Sequence, residues 1–170
     1  MCSSDLFRTG GLDGLRRRVE LGALTPDFGP DRLDDRWGAV LVGARRPLIA
    51  LNVNLRGELA SAREIASVVR ERDGGFPGVR ALGFELPRAG LVQVSMNVED
   101  WEAAGLHELI ATIDREAATR GVEVVGAELV GLMPGGAAAA AAGAALRIDG
   151  FDASRVLELR LLEGRETDPV

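Results

Sequence analysis

LVQVSMNV, residues 91–98, alternates apolar and polar side chains from Val92 onward. In an extended chain successive side chains point to opposite faces, so Gln93, Ser95 and Asn97 share one face while Val92, Val94 and Met96 share the other. Such alternation belongs to a strand covered on one side only. The polar face is then either open to solvent or the floor of a polar cleft. Just upstream, VRALGFEL at residues 79–86 reads as a second strand, and the intervening PRAG carries Pro87 and Gly90, which suit a tight reversal. The two strands form a hairpin.

Working outward, residues 58–72 have Leu59, Ala62, Ile65, Ala66 and Val69 on one stripe with charges opposite, the pattern of a helix that packs one face onto the sheet. DGGFPG at 73–78 is glycine-rich, but it follows a helix and precedes a strand, the reverse of a phosphate-cradling loop, and reads as a connector. Before that helix, residues 38–42 and 48–55 are β-rich runs separated by GARRP, which predicts another hairpin. Asn52 and Asn54 interrupt the second run two residues apart, hence on one face. They either satisfy backbone groups at a strand end or face a cleft with paired donors and acceptors for a polar ligand.

Downstream, residues 105–120 form a second long helix with Leu106, Leu109, Ile110, Ile113 and Ala117 inward and Gly121 closing it. Residues 122–129 are a near-continuous apolar run, as expected of an inner strand buried on both faces. Glu128 near its end either receives a ligand amine or pairs with an arginine. The alanine-rich segment 137–145 is a packing helix, and 151–162 is a closing helix. At the other end, residues 12–24 read as a short amphipathic helix whose Arg16, Arg17 and Arg18 form a solvated face. The resulting order, β-β-α-β-β-α-β followed by helices, predicts an α/β fold: an α+β two-layer sandwich of ferredoxin-like type, with a mixed sheet and both long helices on one face.

Composition narrows the function classes. A chain of 170 residues, 46% hydrophobic and 27% charged, can bury roughly two thirds of its surface as one domain. A net charge of −6 argues against nucleic-acid and anionic-membrane partners, which attract basic patches. There is no apolar run of about 18 residues for a membrane span. The single cysteine, Cys2, excludes an internal disulfide and fits a reducing cytoplasm. His107 is the only histidine, and beside a helix start it reads as structural or solvent-facing. No Ser/His/Asp arrangement and no Cys/His cluster for a metal is present. No catalytic residue is assigned.

The remaining stretch, TPDFGPDRLDDRWGAVLVG at residues 25–43, is excluded from helix by Pro26, Gly29 and Pro30 and reads as a stiff, shaped loop. Trp37 offers a flat apolar face, and Asp31, Arg32, Asp34, Asp35 and Arg36 offer charge. By residue type alone the loop is either a solvated connector with a tryptophan tucked onto the core or a ligand wall.

PDFGP (26–30), WGAVLVGARRPLIALNVNL (37–55), QVSMN (93–97) and VEVVGAELVGLMP (122–134) occur in this order. Together they resemble the second, C-terminal subdomain of the transferase domain in the glutamate formimidoyltransferase family. The resemblance runs from about residue 8 to about residue 162. It implies transfer of the formimidoyl group of N-formimidoyl-L-glutamate to tetrahydrofolate, a late step of histidine degradation. It also implies that Gly29, Pro30, Asp31, Arg32, Leu33, Asp34, Asp35, Arg36, Trp37 and Gly38 line the folate site. The family's catalytic histidine belongs to its first subdomain, in a motif not found in this chain.

The expected organisation is an off-pattern start and linker helix at 1–24, a transferase subdomain at 25–163 and a frayed tail at 164–170. MCSSDL departs from the family pattern, so the chain is expected to begin in mid-protein and to hold the folate-lining half of the enzyme. A missing N-terminal subdomain is then a partner beside the two substrates, and a homo-oligomer is left open. The alternatives are a stand-alone ligand-binding or regulatory module, a dimerisation domain, or a folate-dependent glutamate formyltransferase.

Overall fold

A computed structural model describes residues 10–163; the off-pattern start, Cys2 and the tail at 164–170 lie outside the described residues. The chain divides into two compact units, Met1–Arg45 and Arg46–Val170.

In the first unit, α1 (Gly11–Glu20) buries Val19, and Leu33 from the following loop is also buried. Arg16 lies 3.7 Å from the Asp13 carboxylate and 3.4 Å from that of Asp35, while Arg18 Nε donates to the Gly14 carbonyl at 3.2 Å. Two of the three arginines therefore fasten local structure, and Arg17 is exposed.

The second unit is built from β1 (Ile49–Arg56), α2 (Leu59–Val69), a 3-10 turn (Glu71–Asp73), β2 (Val79–Leu86), β3 (Leu91–Val98), α3 (Leu106–Thr119) and β4 (Glu123–Val130). The spatial order is β2-β3-β1-β4. Each βαβ crossover joins strands that run the same way, and a strand of the other crossover is inserted between them. All three pairings are therefore antiparallel, and the sheet is not mixed. The two-layer α/β sandwich holds, with α2 and α3 on one face.

Alternation decides what that face contains. Ile49, Leu51, Val53 and Leu55 of β1, Val92, Val94, Met96 and Val98 of β3, and Val79 and Ala81 of β2 all point into the core. They meet Ala62, Ile65, Ala66 and Val69 of α2 and Leu106, Leu109, Ile113 and Ala117 of α3. Each fully buried aliphatic side chain contributes about 1.5–3 kcal/mol by leaving water. The approach of α2 is close enough to require glycine: a Cβ on Gly83 would lie 2.6 Å from the Arg63 backbone nitrogen. Arg120, just past α3, donates to Glu116 at 2.6 Å and to Glu64 of α2 at 3.0 Å, tying the two helices together. Those two carboxylates, Glu116 foremost, raise the guanidinium's pKa further above its already high value.

Three expectations fail on this framework. Residues 38–42 form no strand, and Val40 and Val42 are exposed. Both edges of β1 are occupied by β3 and β4, so no slot remains for a hairpin partner. The apolar run of β4 is not an inner strand, because the crossover through α3 places it at the sheet edge with Val125, Leu129 and Val130 exposed. The closing helix is interrupted. Asp152 accepts from the Ser154 amide at 2.8 Å, starting a 3-10 turn (Ala153–Arg155), and Val156 is extended before α5 (Leu157–Glu163) begins.

The alanine-rich helix, α4 (Gly135–Leu146), does pack as expected. It buries Ala137, Ala139 and Gly143, with Gly136 close beneath Trp101. Among the described residues no helix is long and apolar enough to cross a membrane.

Ile113→Ala is expected to lower stability by about 2–5 kcal/mol, while Leu82→Ala on the uncovered face stays within about 0.5 kcal/mol. Urea unfolding midpoints at constant m check both, and equal losses would contradict the assignment of faces.

Candidate functional site

The sheet face turned away from α2 and α3 carries the second side-chain set of each strand. The register places Asn52 opposite Ser95 and Glu128, and Ser95 in turn opposite Leu82. In the next row Asn54 lies opposite Gln93 and Gly126, and Gln93 opposite Phe84. The middle of the face is thus polar, and its β2 side is apolar, with Leu82 and Phe84 exposed. Neighbouring strands lie about 4.8 Å apart, so the distance across the face from Leu82 to Glu128 is about 14 Å.

A hydrogen-bond relay crosses three of the four strands. Gln93 Nε2 donates to Asn54 Oδ1 at 2.8 Å, and Asn54 Nδ2 donates to Glu128 Oε1 at 2.9 Å. Gln93 is only 8% exposed, the one buried polar side chain among the described residues, and the relay is what compensates its burial. Asn54 reaches Glu128 diagonally, past Gly126, where an added Cβ would meet nothing within 4 Å. Space on β4 therefore lets Glu128 fold towards Asn54. For Asn54 the backbone-satisfying reading fails, because both ends of its amide bond side chains. Glu128 pairs with no arginine among the described residues; its partner is the Asn54 amide. At the strand end Arg56 Nη1 pairs with Glu123 Oε2 at 2.7 Å.

The loop singled out by sequence belongs to the first unit, and its ten residues divide by role. Asp34 and Gly38 exchange backbone hydrogen bonds of 3.2 and 2.9 Å, closing a tight turn in which Gly38 has φ +70°. Asp34 Oδ1 also accepts from the Arg36 and Trp37 amides, each at 2.8 Å. These two bonds, Trp37 first, hold the Asp34 carboxyl below its ordinary value of 3.8. Trp37 is 81% exposed, with the Arg36 guanidinium 5.8 Å from its ring centroid, so one indole face is shielded by a cation and the other is available. Gly29, Pro30, Asp31, Arg32 and Asp35 are exposed. Leu33 is buried.

Elsewhere His107 is half exposed on α3, 4.0 Å from the neighbouring Glu108. An open depression of about 410 Å³ at the C-terminal end of α4 is lined by Gly143, Arg147, Asp149 and Phe151 among others. Among the described residues no group of three His, Cys, Asp or Glu side chains is placed to hold a metal ion. Sequence reasoning missed the relay. Asn54, Gln93 and Glu128 were each visible as polar groups on strands, but their contact depends on a strand order and register that no local pattern encodes.

Comparison with known proteins adds an independent line. Residues 50–149 match the family described as Formiminotransferase domain. The chain is 35% identical over 157 residues to glutamate formimidoyltransferase of Streptococcus pyogenes serotype M1, covering 91% of this chain and 52% of the relative. It is 38% identical over 148 residues to glutamate formimidoyltransferase of Thermoplasma acidophilum, covering 86% of this chain and 48% of that protein. With formimidoyltransferase-cyclodeaminase of Sus scrofa the identity is 39% over 134 residues, 75% of this chain and 25% of the relative. The chain thus spans between a quarter and about half of the length of these curated relatives.

Because the amide bonds favour the charged form of Asp34, the stability they add is present above pH 3.8 and is lost as pH falls through the lowered folded value. The Arg36 and Trp37 amide resonances should therefore titrate together with a midpoint below 3.8. A midpoint at or above it would contradict the turn.

Proposed function

The chain belongs to the formiminotransferase domain family, and on that premise we propose that it is the folate-binding half of a glutamate formimidoyltransferase acting in histidine degradation. The reaction moves the formimidoyl group of N-formimidoyl-L-glutamate to tetrahydrofolate. The observation that carries this reading is the uncovered sheet face, polar at its centre and apolar at its β2 side. A reduced folate combines ring nitrogens and amides with aromatic surface, and such a face matches both halves of that chemistry. The stiff turn at 34–38 supports the same reading, because it fixes the backbone that carries an exposed indole and so lowers the ordering cost of binding.

Residues 29–38 are proposed as a wall of the folate site, with Trp37 stacking through the indole face that Arg36 leaves open. On the second unit by itself, Asn52, Asn54, Gln93 and Ser95 are proposed as a polar ligand-binding surface. Transfer requires attack by a folate nitrogen on the formimidoyl carbon, breakage of the bond to the glutamate nitrogen, and delivery of a proton to that nitrogen. His107 sits on a helix and not on the polar face, so the proton is proposed to come from a complementary subdomain that the uncovered face would meet. Alone, the chain is then expected to bind and not to turn over. A cytoplasmic setting is the corresponding proposal for its location.

Titrating a stable reduced folate into the chain is expected to change Trp37 fluorescence saturably. Trp37→Phe, which retains Trp101, should abolish the change. Absence of a change in folded protein, or a change that persists in the variant, would contradict the loop's assignment.

A further inference from the structure

The direction of the relay has a chemical consequence at its exposed end. A carboxylate can only accept hydrogen bonds, so the Asn54 group facing Glu128 must be its NH₂. The Asn54 carbonyl then faces Gln93, whose NH₂ must point back at it. Glu128 thus orients both amides, and Gln93, being buried, anchors the far end. The outcome is a carboxylate held in place by a neutral amide. Among the described residues no ion pair forms at Glu128, so its charge is turned but not neutralised. Glu128 is exposed, and beside it a Cβ added to Gly126 would meet nothing within 4 Å, so its surroundings leave room for a ligand.

We infer that Glu128, positioned by Asn54 and Gln93, is the residue that selects a formimidoyl over a formyl donor. This deepens the formimidoyltransferase reading and rests on it. A formimidoyl group on nitrogen is an amidine; protonated, it is a planar cation with N–H bonds on both nitrogens. A carboxylate meets it as it meets a guanidinium, through two parallel charge-assisted hydrogen bonds. A formyl group in the same place offers a carbonyl oxygen, which only accepts. Against Glu128 that oxygen would set acceptor against acceptor, leaving only the amide N–H to donate and no cation to meet the carboxylate. Specificity of this kind comes from the penalty on the wrong ligand as much as from contacts to the right one. Asn52, opposite Glu128 in the register, is the neighbour available to the donor's remaining polar atoms.

The test uses the isotopically labelled 170-residue chain, with N-formimidoyl-L-glutamate and N-formyl-L-glutamate as probes. The side-chain amide resonances of Asn54 and Gln93 report on the relay directly. They are expected to shift saturably with the formimidoyl compound and at least about tenfold more weakly with the formyl compound, in keeping with loss of a charged hydrogen-bonded pair. Glu128→Gln, which replaces the acceptor-only group by an amide, should remove that preference. Glu123→Gln removes the same charge at the strand end and should leave the preference intact.

Equal responses to the two probes, no response at these amides at millimolar ligand, or a preference that survives Glu128→Gln would each overturn the inference. The folate titration at Trp37 reads a different ligand at a different residue, so its outcome separates failure of this inference from failure of the folate reading beneath it.

Discussion

β1 is hydrogen-bonded along both edges, to β3 on one side and β4 on the other, and most of the second unit follows from that position. Its odd-numbered side chains are fixed in the core by α2 and α3, so its even-numbered set must lie on the opposite face. A slip of one residue against either neighbour would exchange the two sets and bury Asn52 and Asn54 in hydrocarbon. Core packing thus specifies the register, and the register places Asn54 between Gln93 and Glu128. The polar relay is a by-product of hydrophobic burial on the other side of the sheet. Its geometry is accordingly as stable as the core itself.

The same constraint explains what the amino-acid sequence disclosed. Alternation in Val92–Val98 is local, and the β2–β3 hairpin, its PRAG reversal and both long helices are where periodicity puts them. Strand order is not local. Residues 38–42 have the composition of a strand and no place in the sheet, because nothing in them reports that both sides of β1 are already taken. The run in β4 misled in the complementary way: valines and leucine without alternation imitate an inner strand, yet a strand inserted last beside β1 has only one neighbour. Sequence identified the polar face but could not say which of its residues touch.

The loop at 29–38 is organised differently, by hydrogen bonds close in sequence. One carboxylate, that of Asp34, caps two amides and closes the turn with Gly38, so the exposed Trp37 is held by a device that needs no distant contact. That is why residue types alone could mark this stretch as a shaped loop. They could not separate Leu33, which is buried in the unit's core, from the neighbours that reach solvent. The loop supplies an indole and charge; the sheet supplies directed amides and a carboxylate. The chain's family membership gives these surfaces a common reading as places where a folate and an amidine could be recognised.

The claim on which all of this depends is that the uncovered sheet face is the ligand face. A residue-resolved chemical-shift map of the labelled chain with a stable reduced folate and N-formimidoyl-L-glutamate present together tests it most directly. A ligand face there requires the perturbations to concentrate on Asn52, Asn54, Phe84, Gln93 and Ser95. Perturbations gathered instead on the outer surfaces of α2 and α3, or around Arg147 in the depression at the end of α4, with the sheet face unmoved, would contradict it.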